Sequence, residues 1–348
     1  MQYNSSMKIV DHPSIRAFFK CCRNNLYDTR LNAFLDRTVS FQNERSMQEQ
    51  LQKAGAQEFD LPRQQWPSLF LSADDWEKNP YHRQIRLREI QSAAFTCRTE
   101  IIRGNRLFNA AAVQPDKNRE LADWMKLRAL DRDIEAVYLY QNEDSWMLSA
   151  PSEAATNDPI AQKAHGSVLT FGLGIGYFTF MALSNPRVDS VTIVERSPDV
   201  ISLFRRAILP RFNCEKPLHI IRADAYDMWK PAFLDTYDTI YADIWRSGDD
   251  GLACMRRLLE RYNPPFEKTD FWIEDSCTEP LRTQIFLHFE ELAGSRAIQP
   301  HPDYRIYMEK VRSYFQTLPV TVETVKQLKD LLYDRALARA ILAHRVRF

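Results

Sequence analysis

The sequence predicts an α/β protein built on an open, doubly wound parallel sheet, and three observations lead there. Short apolar runs recur between residues 167 and 276, separated by stretches with helical apolar spacing. Of the chain's 9 glycines, Gly166, Gly172, Gly174 and Gly176 crowd into "HGSVLTFGLGIGYFTFMAL", between one such run and a helical one. Acidic residues, Glu195, Asp224, Asp243 and Asp275, stand at or near the ends of the runs that follow.

The front of the chain reads as helical. "HPSIRAFFKCCRNN" opens with Pro at a first helical position, "RQIRLREIQSAAFTCRTEIIRGN" keeps apolar spacings of three and four up to Gly104, and "NRELADWMKLRAL" repeats them. Residues 1–134 are therefore expected to form an N-terminal helical domain, with Phe18, Phe19, Trp66 and Trp124 as core. Near Ile134 the period changes to two. "IEAVYLYQ" and "SWMLSAPS" flank "NED", predicting a β-hairpin over 135–150.

The alternation then begins. Strand one is Ser167–Phe171, followed by the glycine loop and its helix. Strand two, Ser190–Glu195, leads to the helix "PDVISLFRRAIL". Strand three is Leu218–Ala223, strand four Tyr237–Ile244, and the helix "LACMRRLLERY" leads to strand five, Asp270–Ser276. Apolar strands alternating with amphipathic helices imply a sheet covered on both faces. Helices return beyond Pro280, so 135–295 forms the α/β domain and 296–348 a C-terminal helical extension. The tail from Lys326 to Arg347 reads as one amphipathic helix, with solvated Arg on its outer side or, alternatively, Arg free for phosphate or RNA.

Bulk properties narrow the function. The 348 residues are 45% hydrophobic and 26% charged, enough for a sizeable core. Lys plus Arg and Asp plus Glu number 46 each, so the basic surplus of a nucleic-acid binder is missing and nucleic acid is not an expected partner. No apolar run approaches the roughly 18 to 20 residues of a membrane span, and "MQYNSSMKIVDHPS" lacks a secretion signal. Six cysteines without C-x-x-C spacing suggest neither a metal site nor a disulfide framework, and a cytoplasmic setting is expected.

Open parallel sheets bind ligands at the carboxyl ends of their strands, where strand order reverses. That rule brings the glycine loop, Glu195, Asp224, Asp243 and Asp275 toward one crevice; helix capping is the other reading of each acid. No Lys follows Gly176, which excludes a Walker phosphate loop. Tyr177 and Thr179 occupy the third-glycine places of the two possible dinucleotide fingerprints. What remains is G-x-G-x-G.

Over residues 165 to 276 the chain resembles the class I S-adenosylmethionine-dependent methyltransferases. Gly172, Gly174 and Gly176 match the first motif, and Glu195 in "VTIVERS" holds the place of the ribose-binding acid, with Arg196 beside the adenine. "RADAYD" offers Asp224 and Ala225 near the adenine amino group, and "YDTIYADIW" places Asp243 at the mouth where methyl transfer occurs. The resemblance implies a Rossmann-like methyltransferase domain, S-adenosylmethionine as cofactor, and Asp243 as the catalytic residue acting on a small-molecule acceptor. The helical segments would offer surfaces for self-association.

Tyr177, Phe178, Tyr226 and Trp245 are candidates to face the sulfonium. Where many members carry an acid two residues before the first glycine, this chain has Thr170, and Glu153 in "SAPSEAA" is the proposed substitute partner of the methionine ammonium. The hairpin is similar to that of the aminopropyltransferases, an alternative reading, but Ile175 replaces their Asp between the second and third glycines. A cofactor-binding scaffold without catalysis is the other alternative. "NPPF" at Asn263–Phe266 reads as a helix-ending loop, and "SGDDG" as a substrate loop or a solvated turn.

Overall fold

The computed structural model describes residues 6–346 apart from 27–29, 91, 93, 113, 116–120, 142–143 and 295–296. The expected "NED" turn therefore has Asn142 and Glu143 outside the described residues, as is Arg347 at the tail.

Helix α1 (Pro13–Asn25) forms as its sequence predicts, with His12 accepting a hydrogen bond from the Ser14 N–H. Its Phe18 and Phe19 are buried, Phe19 edge-on to Phe286 with ring centroids 5.8 Å apart. Helix α2 (Glu44–Lys53) contributes Met47 and Leu51 to a separate apolar cluster with Leu31, Phe59, Trp66, Leu107 and Leu127. Helices α3 (Ala73–Glu77) and α4 (Pro80–Ile85) follow.

The helical expectation for the rest of this front segment is corrected. Helix α4 stops because Arg86 turns left-handed at φ 47°, and the residues beyond form strand β1 (Thr96–Ile102). Its β-branched Thr96, Thr99, Ile101 and Ile102 suit an extended backbone. Likewise "MKLRAL" holds strand β2 (Leu127–Leu130), not a helix. Strands β3 (Ile134–Gln141) and β4 (Asp144–Ser149) make the expected hairpin, with β1 added antiparallel to β3.

Helix α5 (Pro151–Lys163) leads into the parallel sheet: β5 (Gly166–Phe171), β6 (Val188–Glu195), β7 (Leu218–Arg222), β8 (Thr239–Ala242) and β9 (Thr269–Phe271). The spatial order is β7-β6-β5-β8-β9, all parallel. This is a doubly wound, Rossmann-like α/β arrangement whose direction of winding reverses between β5 and β8. Register places the carboxyl ends together, with Phe171 opposite both Val194 and Ala242. Val168, Leu169, Phe171, Ile193, Ile240 and Tyr241 are fully buried, as both-face coverage requires. Between the strands run α6 (Tyr177–Ser184), α7 (Pro198–Leu203), α8 (Ala225–Met228) and α9 (Gly248–Leu259). A box in which Ser247 and Asp250 cap each other's backbone starts α9, so "SGDDG" is a helix start.

Strand five is shorter than expected. It ends at Phe271, and α10 (Glu274–Leu292) begins three residues later with Pro280 inside it. Asp275 consequently lies in the first turn of α10, where Arg335 approaches to 3.6 Å, and not on the sheet's carboxyl rim. The tail is also corrected. It forms two helices after α11 (Arg305–Thr317), namely α12 (Val325–Leu332) and α13 (Arg335–Ala343), with Asp334 capping the second. Arg339 is buried on Glu274, Nε to Oε1 at 2.6 Å and Nη2 to Oε2 at 2.6 Å, and donates to the Thr269 carbonyl at 3.0 Å. Arg335 joins the same carboxylate. Arg339 is thus an internal ion-pair partner, neither solvated nor free for phosphate, while Arg335, its side chain 41% exposed, is engaged by Glu274 and Asp275. No helix among the described residues is long and apolar enough to cross a membrane.

Replacing Arg339 with Ala leaves the buried Glu274 short of a partner. The expected loss is about 3–5 kcal/mol, seen as a lower denaturant midpoint with an unchanged slope.

Candidate functional site

The carboxyl ends of β5, β6 and β8 open onto a crevice of about 830 Å³. The ladder continues past the strands themselves: the Gly172 N–H donates to the Val194 carbonyl at 3.0 Å and the Asp243 N–H to the Phe171 carbonyl at 2.9 Å. Gly172, Leu173, Gly174, Glu195, Arg196, Asp224, Ala225 and Asp243 all line the cavity, as do Glu153 from α5 and Tyr177 from α6. Gly176 does not. It caps α6 with φ 77°, and a Cβ there would lie 2.5 Å from the Phe204 ring.

Gly172 explains the approach of two strands. At φ 93°, its missing Cβ would stand 2.0 Å from the Asp243 carbonyl oxygen. At Gly174 (φ 52°) the crowding atoms are the Met147 thioether end at 2.5 Å, brought by β4. The glycines thus make room for this protein's own atoms as well as for the crevice.

Glu195 clamps the loop. Its Oε2 accepts the Leu173 N–H at 3.1 Å and its Oε1 the Ser197 N–H at 2.7 Å, leaving further lone pairs on a half-buried carboxylate. Asp224 caps α8 by accepting the Tyr226 N–H at 2.8 Å, which satisfies the capping reading while the residue still borders the cavity. Thr170 is buried in the same wall.

Glu153 and Asp243 form the electrostatic feature of the crevice. Burial pushes the Glu153 carboxyl up to about 7. Burial, and then the nearby Glu153 charge, push Asp243 up to about 8. Neither side chain has a hydrogen-bond or ion-pair partner among the described residues. Two unpaired carboxyls facing one cavity are a demand for a cation or for protons. Among the described residues no group of three His, Cys, Asp or Glu side chains is placed to hold a metal ion.

The aromatic candidates Tyr177, Phe178, Tyr226 and Trp245 all border the cavity. The Tyr177 hydroxyl donates to Asp158 Oδ1 at 2.8 Å and accepts from Asn79 Nδ2 at 2.9 Å. Arg257 lies 4.0 Å over the Tyr226 ring.

No protein-family model and no curated protein matches the sequence. Among solved structures, a candidate S-adenosylmethionine-dependent methyltransferase from Streptococcus mutans aligns at 16% identity over 41% of this chain and 43% of that one, with a TM-score of 0.26. Shikimate dehydrogenase from Mycobacterium tuberculosis aligns at 14% identity over 54% and 61%, with a TM-score of 0.22. Each match spans less than two thirds of the other chain. Likeness this low decides nothing; the fold class rests on the strand order described above.

The front segment supplies residues that sequence reasoning missed. Trp76 and His82 reach the crevice, joined there by Ser149 at the end of β4, and the buried Tyr81 hydroxyl donates to the Ile175 carbonyl at 2.6 Å, fixing the glycine loop from outside the sheet. Burial holds the His82 imidazole down at about 4, so it is neutral at ordinary pH. Only the "NP" start of α4 was visible as a local signal, Asn79 capping and Pro80 following.

Gly172→Ala is expected to abolish ligand binding and to destabilise the fold by more than about 3 kcal/mol, because the clash is with backbone. Gly174→Ala meets only a movable side-chain end and should cost about 1 kcal/mol. Paired denaturation curves of the two variants check the contrast.

Proposed function

We propose that the protein is an S-adenosylmethionine-dependent methyltransferase acting on a small-molecule acceptor. The observation that carries this reading is the unpartnered Glu153–Asp243 pair on the crevice at the winding reversal. A zwitterionic adenosyl amino acid with a sulfonium brings two positive groups to such a site, and the residues present fit it. Glu153 would hold the ammonium, the place left open by Thr170. The free lone pairs of Glu195 would accept ribose hydroxyls, and Asp224 and Ala225 would border the adenine.

The bound cofactor would supply a methyl group on a positively charged sulfur. The chain's part is alignment, since in-line displacement depends chiefly on holding the nucleophile in position. Asp243, once ionised beside a cation, would accept the acceptor's N–H or O–H at a carboxylate oxygen and take its proton. Tyr177, Phe178 and Trp245 would exclude water around it.

Thermal shift separates the candidates. S-Adenosylmethionine and S-adenosylhomocysteine, each at about 100 times Kd, are expected to stabilise by roughly 2.7 kcal/mol, a rise of several degrees. NAD should give none. A preference for decarboxylated S-adenosylmethionine would favour aminopropyl transfer, and a folded sample that responds to no ligand would overturn the proposal.

The carboxyl pair also sets a pH dependence. Both groups stand above their ordinary values in the folded chain, so between about pH 4.5 and about pH 8 the folded state holds more protons than the unfolded one. The pair's contribution to stability therefore falls as pH rises through that window. Binding of the cationic ligand should conversely tighten with pH and release protons, read as a buffer-dependent enthalpy. Glu153→Gln should flatten the dependence and weaken S-adenosylhomocysteine by about tenfold, the effect of one lost charge contact.

A further inference from the structure

Strand β1 (Thr96–Ile102) is the outer strand of the β1-β3-β4 sheet. All 7 of its residues pair with β3 in one unbroken register, from Thr96 opposite Tyr140 to Ile102 opposite Ile134. Along its other edge no backbone group among the described residues bonds to it. Outer strands that stay single are commonly short, bulged, or interrupted by Pro or Lys. "TCRTEII" uses none of these devices, and Ile101 in it is 56% exposed.

The charges of the strand suit a second copy of itself. Arg98 and Glu100 stand on either side of Thr99, and alternation puts both on one face. Arg98 lies 4.4 Å over the Tyr140 ring, and Glu100 Oε1 accepts from the Tyr140 hydroxyl at 2.7 Å, so two exposed, opposite charges gather around one tyrosine. An antiparallel copy of β1, related by a two-fold axis at Thr99, sets Arg98 opposite the partner's Glu100 and Glu100 opposite the partner's Arg98. Thr99 then faces the partner's Thr99, and the exposed Ile101 faces the partner's Cys97. Opposite charges and paired threonines directly across a ladder are favourable contacts. Moving the axis by one residue sets Arg98 against the partner's Arg98, or Glu100 against the partner's Glu100, both unfavourable. A half-step leaves each charge opposite an uncharged residue. Charge therefore selects one register.

We propose that β1 is the pairing edge of a homodimer, in which two copies join antiparallel about Thr99 and their three-stranded sheets become one continuous sheet. A two-fold contact of this kind buries the same surface on both copies and removes the open edge at β1. A ladder of 7 residues is a small interface, so association is reversible and depends on concentration. Self-association then runs through a strand, not through the helical segments, and is independent of what the crevice binds.

The test is sedimentation velocity of the full chain from about 1 to about 100 μM, the range in which a small interface associates. A monomer–dimer equilibrium is expected. Arg98→Glu brings glutamates face to face at both charge pairs, and Glu100→Arg brings arginines face to face. Each should weaken dimerisation at least about tenfold, with an unchanged circular dichroism spectrum at these exposed positions. The double exchange, Arg98→Glu with Glu100→Arg, restores opposite charges and should restore the dimer. An equimolar mixture of the two single variants should form heterodimers for the same reason. Hydrogen exchange on the unaltered chain gives a reading that needs no variant: amides within Thr96–Ile102 should gain protection as concentration rises. A chain that stays monomeric, a dimer indifferent to the single exchanges, a folded double variant that remains monomeric, or exchange in β1 that ignores concentration would each overturn the proposal.

Discussion

The crevice depends on one missing methyl group. At Gly172 the first and fourth strands of the alternating series come so close that the Asp243 carbonyl occupies the place of a side chain. With any other residue there, the two strand ends would have to part, and the ladder bonds from Gly172 to Val194 and from Asp243 to Phe171 would go with them. The position of Asp243 on the cavity floor, and its electrostatic meeting with Glu153, follow from that contact. Burial in a cavity then raises both carboxyls, so a backbone constraint ends as a chemical property.

The sheet alone does not complete the site. Tyr81 and Asn79, from the front segment, reach the Ile175 carbonyl and the Tyr177 hydroxyl, and Met147 from the hairpin fills the space over Gly174. Two separate stretches of sequence outside the sheet thus bear on one loop. Each contact replaces a water hydrogen bond or covers apolar surface, and each restricts the loop's conformations before a ligand arrives, which lowers the ordering cost of binding.

What was legible in the sequence was what local chemistry dictates. Short apolar runs gave the parallel strands, glycine density gave the loop, and Glu195 and Asp243 were found because strand ends are readable from where hydrophobicity stops. Thr96–Ile102 was misread because its strand is exposed on much of both faces, so polar residues interrupt any period-two signal. Asp275 was misplaced because a three-residue strand runs almost directly into a helix whose own apolar residues extend the pattern. Arg339 looked like a solvated helix residue, since nothing near it in sequence announces Glu274, 65 positions earlier. His82 and Trp76 carry no local mark at all; only tertiary packing brings them to the crevice wall.

Residues Lys8 and Ile9 pair in parallel with Thr321 and Val322, and the apolar face of α1 closes on α10 beside them. That pairing joins positions more than three hundred residues apart, among the most non-local contacts a chain of this length can make. During synthesis, Phe18 and Phe19 are made long before their partner Phe286 and the closing strand. Until those residues emerge, the nascent chain carries an unburied aromatic helix, the kind of surface that chaperones recognise and that aggregation exploits.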